Sequence, residues 1–135
     1  MDLKQPWFAV DCVVFDERER VLLIRRKNPP FQGQYALPGG FIDYGETVEH
    51  AASRELREET NLVSIKLTLI GVYSDPDRDP RGHVVSIAYL AAVENYDSRP
   101  GDDASQAEFI ADWKDQELAF DHQKIIRDAR ALLAR

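Results

Sequence analysis

Apolar positions along this chain follow two rhythms. Phe8 to Phe15, Val21 to Ile24, Val63 to Ser74 and Val84 to Val93 are crowded with β-branched and aromatic residues, the composition of strands. Ile125, Ile126, Ala129, Leu132 and Leu133 instead recur at helical spacing, with Asp121 placed to cap the start of that helix. Thr47 to Thr60 holds no Gly or Pro and is helical in composition. The charged run Asp16 to Arg20 predicts a turn, and with it a hairpin between the first two strands. Asn28-Pro29-Pro30 and Gln32-Gly33-Gln34 mark a loop, and Pro38-Gly39-Gly40 stops a short strand over Tyr35 to Leu37. Asp75 to Gly82 and Glu94 to Gln106 are long loops, and Phe109 to Trp113 is a further short strand. Strands in runs, rather than in strict alternation with helices, predict an α+β fold.

Composition narrows the class. A chain of 135 residues suits one domain spanning 1–135, and 44% apolar with 30% charged residues is ordinary globular composition. No apolar run approaches the length of a membrane span, and the N-terminus lacks the basic flank and apolar stretch of a secretory signal. With one cysteine, Cys12, no intramolecular disulfide can form, which suits a cytoplasmic location. Seventeen basic against 24 acidic residues give −7, which disfavours binding to a nucleic-acid backbone. It leaves room for a small phosphorylated ligand, held by a few arginines or bridged to carboxylates by a metal.

The segment Gly40 to Leu62 is the informative one. With Glu55 set at 0° on a helix, Val48, Ala52 and Leu56 fall near ~20°, ~60° and ~100°, and Glu59 falls near ~40°. Glu55 and Glu59 therefore sit on or beside the core-facing stripe. Like charges at i,i+3 and i,i+4 repel, the helix dipole disfavours Glu58 and Glu59 in the last turn, and an apolar surface desolvates carboxylates. A hard divalent cation offsets all three at once. Arg54 and Arg57 offset part of it without a metal.

The spacing is more specific than the charge. Gly40, five residues, Glu46, seven residues, Arg54-Glu55-Leu56-Arg57-Glu58-Glu59, two residues, Leu62 closely resembles the Nudix box, G-x5-E-x7-R-E-U-x-E-E-x-G-U with U a bulky aliphatic. Six fixed identities at average residue frequencies give a chance match on the order of 10⁻⁷ per window. One position departs: Asn61 stands where the family has a glycine. Asn is the next best residue for a left-handed helix end, so the change touches the terminus rather than the carboxylates. Outside the box, Gly71 to Pro76, Arg78 to His83 and Leu118 to His122 look like small ADP-ribose pyrophosphatases of the family.

The resemblance implies an α/β/α sandwich with a mixed central sheet, and an enzyme that cleaves a nucleoside diphosphate linked to another group. Water attacks a diphosphate phosphorus with the help of Mg²⁺ or Mn²⁺, most simply taking ADP-ribose to AMP and ribose 5-phosphate. It implies Glu55 and Glu59 as chief metal ligands, with Glu58 sharing the cluster and the Gly40 carbonyl as a further ligand. Arg54 would hold a glutamate in place and Glu46 would pair with it. The base is a box glutamate or an acidic residue of a distant loop, with Asp102, Asp103 and Glu108 as candidates. Arg25, Arg26, Arg78 and Arg81 could reach phosphate, and Phe41 or Tyr73 could stack on a base. By analogy the partners are a small nucleotide and a second copy of the chain, with neither nucleic acid nor membrane. Two alternatives stand: a nucleoside triphosphate pyrophosphatase, and a module that binds ADP-ribose without cleaving it.

Overall fold

In the computed structural model, residues 5–95 and 107–134 are described. The first strand, β1 (Trp7–Val13), lies inside a four-stranded sheet and pairs in parallel with β6 (Val84–Val93), Trp7 opposite Val84 and Val13 opposite Leu90. β5 (Ser64–Tyr73) runs antiparallel to β6 at one edge, and β4 (Gly39–Phe41) antiparallel to β1 at the other. A second sheet, antiparallel throughout, orders β3 (Tyr35–Ala36), β2 (Val21–Arg25) and β7 (Ala107–Ile110). The two helices are α1 (Val48–Thr60) and α2 (His122–Leu133).

Strand alternation sorts β1 between two cores. Val10, Cys12 and Val14 pack with Ala51, Ala52 and Leu56 of α1. Val13 faces the other way, onto Trp113, Ile125, Ile126 and Ala129 around α2. A strand buried on both sides needs apolar residues at every position, and Phe8 to Phe15 comes close to that pattern. The break in it is Asp11, which points to the α2 side and is 7% exposed. The result is the α+β fold that the strand runs predict, arranged as the helix–sheet–helix sandwich with a mixed sheet that the resemblance implies.

Local chemistry places the ends of α1. Thr47 is extended at φ −71° and ψ 157°, and its hydroxyl accepts from the His50 amide at 3.2 Å. At the other end Asn61 adopts φ 62° and ψ 10° and donates its amide to the Arg57 carbonyl at 2.8 Å. This is the left-handed cap expected of the residue that replaces glycine.

Several expectations change. The hairpin forms only at its base, through the Phe15–Val21 bridge and the Leu22 amide on the Val14 carbonyl, after which β1 and β2 part into different sheets. β1 ends at Val13, not Phe15, for that reason. Gly39 and Gly40 form β4 rather than a stop, because a strand with no side chain at Gly39 can lie against β1 where a Cβ would strike the Val10 carbonyl. The strand expected over Phe109 to Trp113 is β7, Ala107–Ile110, and Trp113 opens a 3-10 turn, Trp113–Asp115. Asp121 precedes α2 but its side chain caps nothing; its carboxylate is taken by Arg78, at 2.6 and 2.9 Å.

Candidate active site

The box folds into one end of α1 and the strand it packs on. Gly40 sits so close to α1 that a Cβ there would lie 2.6 Å from the Glu55 carboxylate. A side chain there would displace the Glu55 carboxylate, and its absence lets the Gly40 backbone lie against Glu55. Glu59, one turn on, accepts from the Gly39 amide at 3.0 Å. Two glutamates of α1 and two glycines of β4 thus share one surface.

Arg54 ties this surface together. Its guanidinium grips Glu46 with two bonds of 2.7 and 2.8 Å, reaches Glu55 at 2.8 Å and Glu58 at 3.3 Å, and donates to the Phe41 carbonyl at 3.2 Å. Glu46 also accepts from the Asp43 amide at 3.1 Å and meets His50 Nδ1 at 2.7 Å. The bidentate pair holds Glu46 far below the usual carboxylate range and raises Arg54 above its ordinary value. Arg54 is the cation that orients Glu55, and Glu46 is the anion that orients Arg54.

The remaining carboxylates differ in environment. Glu58 is exposed. Burial raises Glu55, against the opposing pull of Arg54. Glu59 is pushed up to about 8, by burial first; the Gly39 hydrogen bond opposes this, and the charges of Glu55, Asp11 and Glu58 add to it. A carboxyl whose anion is this disfavoured is stabilised strongly by an added cation. Among the described residues no three His, Cys, Asp or Glu side chains converge on one point as a ready-made metal cage.

A cleft of about 80 Å³ opens beside Glu59. Asp11, Gly40, Arg26, Arg81, Phe120 and His122 are among the residues that line it. Phe120, at φ 53°, projects its ring beneath two guanidiniums, Arg26 at 5.1 Å and Arg81 at 5.7 Å. Arg26 is lowered from its ordinary value by burial and then by Arg81. Two cations and the Glu59 carboxylate therefore line one cleft.

The arginines named from sequence separate here. Arg81 lines the cleft, tethered to buried Asp79 at 2.8 Å and lying 5.2 Å over the Phe41 ring. Arg25 points elsewhere, onto the Gly33 carbonyl at 2.9 Å and the Tyr35 ring at 4.4 Å, and its neighbour Arg26 reaches the cleft instead. Arg78 lines the cleft but is engaged by Asp121. Tyr73 is buried, its hydroxyl on Asp128 at 2.6 Å. Glu108 accepts from the Tyr35 hydroxyl at 2.9 Å on the smaller sheet, and Asp102 and Asp103 lie outside the described residues.

Residue spacing singles out neither Asp11 nor His122 as a site residue. His122 Nδ1 accepts from the Leu37 amide at 3.0 Å, which leaves the proton on Nε2, 3.3 Å from Asp11 Oδ1. Asp11 in turn accepts from the Ser86 hydroxyl. This buried chain runs from α2 to the segment Leu37-Pro38-Gly39-Gly40 and fixes that segment from the side opposite α1. The available signal was a lone Asp in an otherwise apolar strand.

The NUDIX domain family matches residues 6–133. The chain belongs to this family. Among its relatives is the ADP-ribose pyrophosphatase of Methanocaldococcus jannaschii, 52% identical over 91% of this chain and 72% of that protein. The ADPR responsive transcriptional repressor NtrR of Acinetobacter baylyi is 32% identical over 98% of this chain, which spans 56% of the repressor. The NUDIX domain of Shewanella oneidensis NrtR, solved with ADP ribose, superposes with a TM-score of 0.89 at 34% identity, over 97% of this chain and 90% of that one. This protein is a NUDIX hydrolase, and such enzymes work with divalent metal. The donors fit one: Glu55 and Glu59 offer oxygen, the choice of hard cations, and the Gly40 backbone lies directly against the Glu55 carboxylate. Among the described residues no helix is long and apolar enough to cross a membrane.

Proposed function

We propose that this NUDIX hydrolase cleaves the diphosphate of ADP-ribose to AMP and ribose 5-phosphate. One observation carries the reading: half-buried Glu59 lines the same cleft as Arg26 and Arg81. An anionic diphosphate with its cation complements both signs of charge. The 52% identity to an ADP-ribose pyrophosphatase supports the choice of substrate.

In this reading Glu55, Glu59 and the Gly40 carbonyl hold Mg²⁺ or Mn²⁺, with Glu58 joining once its weak contact to Arg54 is released. The metal when bound neutralises phosphate charge and lowers the pKa of attached water. Arg54 keeps Glu55 pointed at Gly40, and Glu46 keeps Arg54 in place. Arg81 and Arg26 neutralise the phosphate remote from the carboxylates, and Phe41 supplies an apolar wall for the nucleoside. The chain acts as one domain, as a homodimer, in the cytoplasm; its lone Cys12 is buried and suits a reducing compartment.

Incubation with ADP-ribose across a divalent-metal series, with products resolved, tests this directly. AMP and ribose 5-phosphate in equal amounts support it. Preferential turnover of nucleoside triphosphates in a parallel panel assigns the alternative hydrolase. A second reading, ADP-ribose binding without cleavage, draws on the NrtR domain solved with that ligand. Calorimetric binding with no product at any metal would favour it. The intact set Glu55, Glu58, Glu59, Arg54 and Glu46 argues for turnover.

A further inference from the structure

A second space adjoins the catalytic cleft at Phe41. It is a groove of about 740 Å³ along Trp7, Phe41, Arg81, His83 and Val84. Phe41, Arg81 and Val84 line both spaces, so the two are neighbours. At its far side Trp7 is 68% exposed, a large apolar ring left in water on the first residue of β1. Its backbone is nonetheless fixed, by the hydrogen bond its amide donates to the His83 carbonyl at 3.0 Å and by the register with Val84. Its indole meets the Phe41 ring edge to face at 5.8 Å, and Arg81 covers Phe41 at 5.2 Å. An anchored, exposed indole beside a phosphate-facing arginine is a stacking platform, since every nucleobase has an apolar π-face.

We propose that Trp7 is the nucleobase platform of this enzyme, and that the adenine of the substrate lies in the Trp7–Phe41 groove with Arg81 at the junction between base and phosphates. This rests on the ADP-ribose reading and adds a direction to it. The nucleoside half of the substrate points toward the start of β1, and the ribose phosphate half toward Arg26 and Phe120. Trp7 touches no reacting group, so its contribution is to binding.

Trp7→Ala and Trp7→Phe test the proposal. Alanine raises KM for ADP-ribose about tenfold or more with kcat nearly unchanged, while phenylalanine, which keeps a stacking face, stays within about threefold of wild type. A second readout needs no turnover. The chain has two tryptophans, and the other, Trp113, is buried in the α2 core. AMP should therefore quench wild-type emission and leave that of Trp7→Phe unchanged, and ribose 5-phosphate should quench neither. Unaltered KM in Trp7→Ala, AMP quenching that survives in Trp7→Phe, or sedimentation showing a wild-type dimer that Trp7→Ala converts to monomer would each overturn it. AMP quenching by a chain that cleaves no ADP-ribose would keep the platform and remove the hydrolase reading. Normal hydrolysis by Trp7→Ala would do the reverse.

Discussion

At the residue scale the site is governed by where one charge is allowed to exist. Glu59 shares its surface with Glu55 and lies within the influence of Asp11 and Glu58, and it is largely withdrawn from water. Its folded pKa of about 8 stands above the ordinary 4.5. Between those values the folded, metal-free chain holds a proton that the unfolded chain releases, so its stability falls as pH rises from about 4.5 to about 8. A metal needs the anion, so binding expels that proton. Apparent Mg²⁺ or Mn²⁺ affinity should rise by up to about tenfold per pH unit below 8 and then level off. Calorimetry in two buffers of different ionisation enthalpy reads the proton release, and an affinity flat from pH 6 to 8 would contradict the assignment. Glu59→Gln keeps an oxygen for the Gly39 amide and loses the charge. It should fold with a Tm within a few degrees of wild type, lose about 100-fold or more in ADP-ribose turnover, and lose the pH slope with it.

At the scale of elements, the active surface depends on β4 being pinned from both sides. Arg54 holds it through the Phe41 carbonyl, and His122 holds its lead-in through the Leu37 amide. Removing His122 leaves a buried amide and the Asp11 carboxylate short of a partner, a loss of about 2–4 kcal/mol. His122→Ala should lower Tm by roughly 10 °C, and turnover measured well below that midpoint should fall as well, because Gly39 and Gly40 lose their support. Wild-type turnover with a lowered Tm would show His122 to be structural alone. The same elements show what the sequence made legible. α1 follows from composition and spacing, which act within one or two turns, while its left-handed end at Asn61 and the Glu46–Arg54–Glu55 chain follow from the box that the segment resembles. β4 and the Asp121–Arg78 pair were hidden, because each depends on chain segments far apart in sequence. A glycine pair reads as a turn until β1 is known to lie beside it. An Asp before a helix reads as a cap until an arginine 43 positions earlier takes it.

For the whole molecule, the net charge of −7 sets how metal binding will be seen. Any divalent salt screens a protein this acidic, so a rise in Tm on adding Mg²⁺ does not by itself locate an ion. Site binding differs in size and in dependence. At one hundred times Kd it adds about 2.7 kcal/mol to the folded state, on the order of 10 °C in Tm for a chain of this size. General screening depends on ionic strength and is matched by monovalent salt. Titrating Mg²⁺ at constant ionic strength should thus leave a saturable Tm increase in the wild type, larger at pH 8 than at pH 6 because less proton must be displaced. Glu59→Gln keeps most of the molecular charge but lacks the ligand, so its melting curve should respond to Mg²⁺ no more than to added NaCl. If both proteins shift equally, the carboxylates of α1 serve only as part of an acidic surface, and the arrangement of Glu55, Glu59 and Gly40 has some purpose other than gripping an ion.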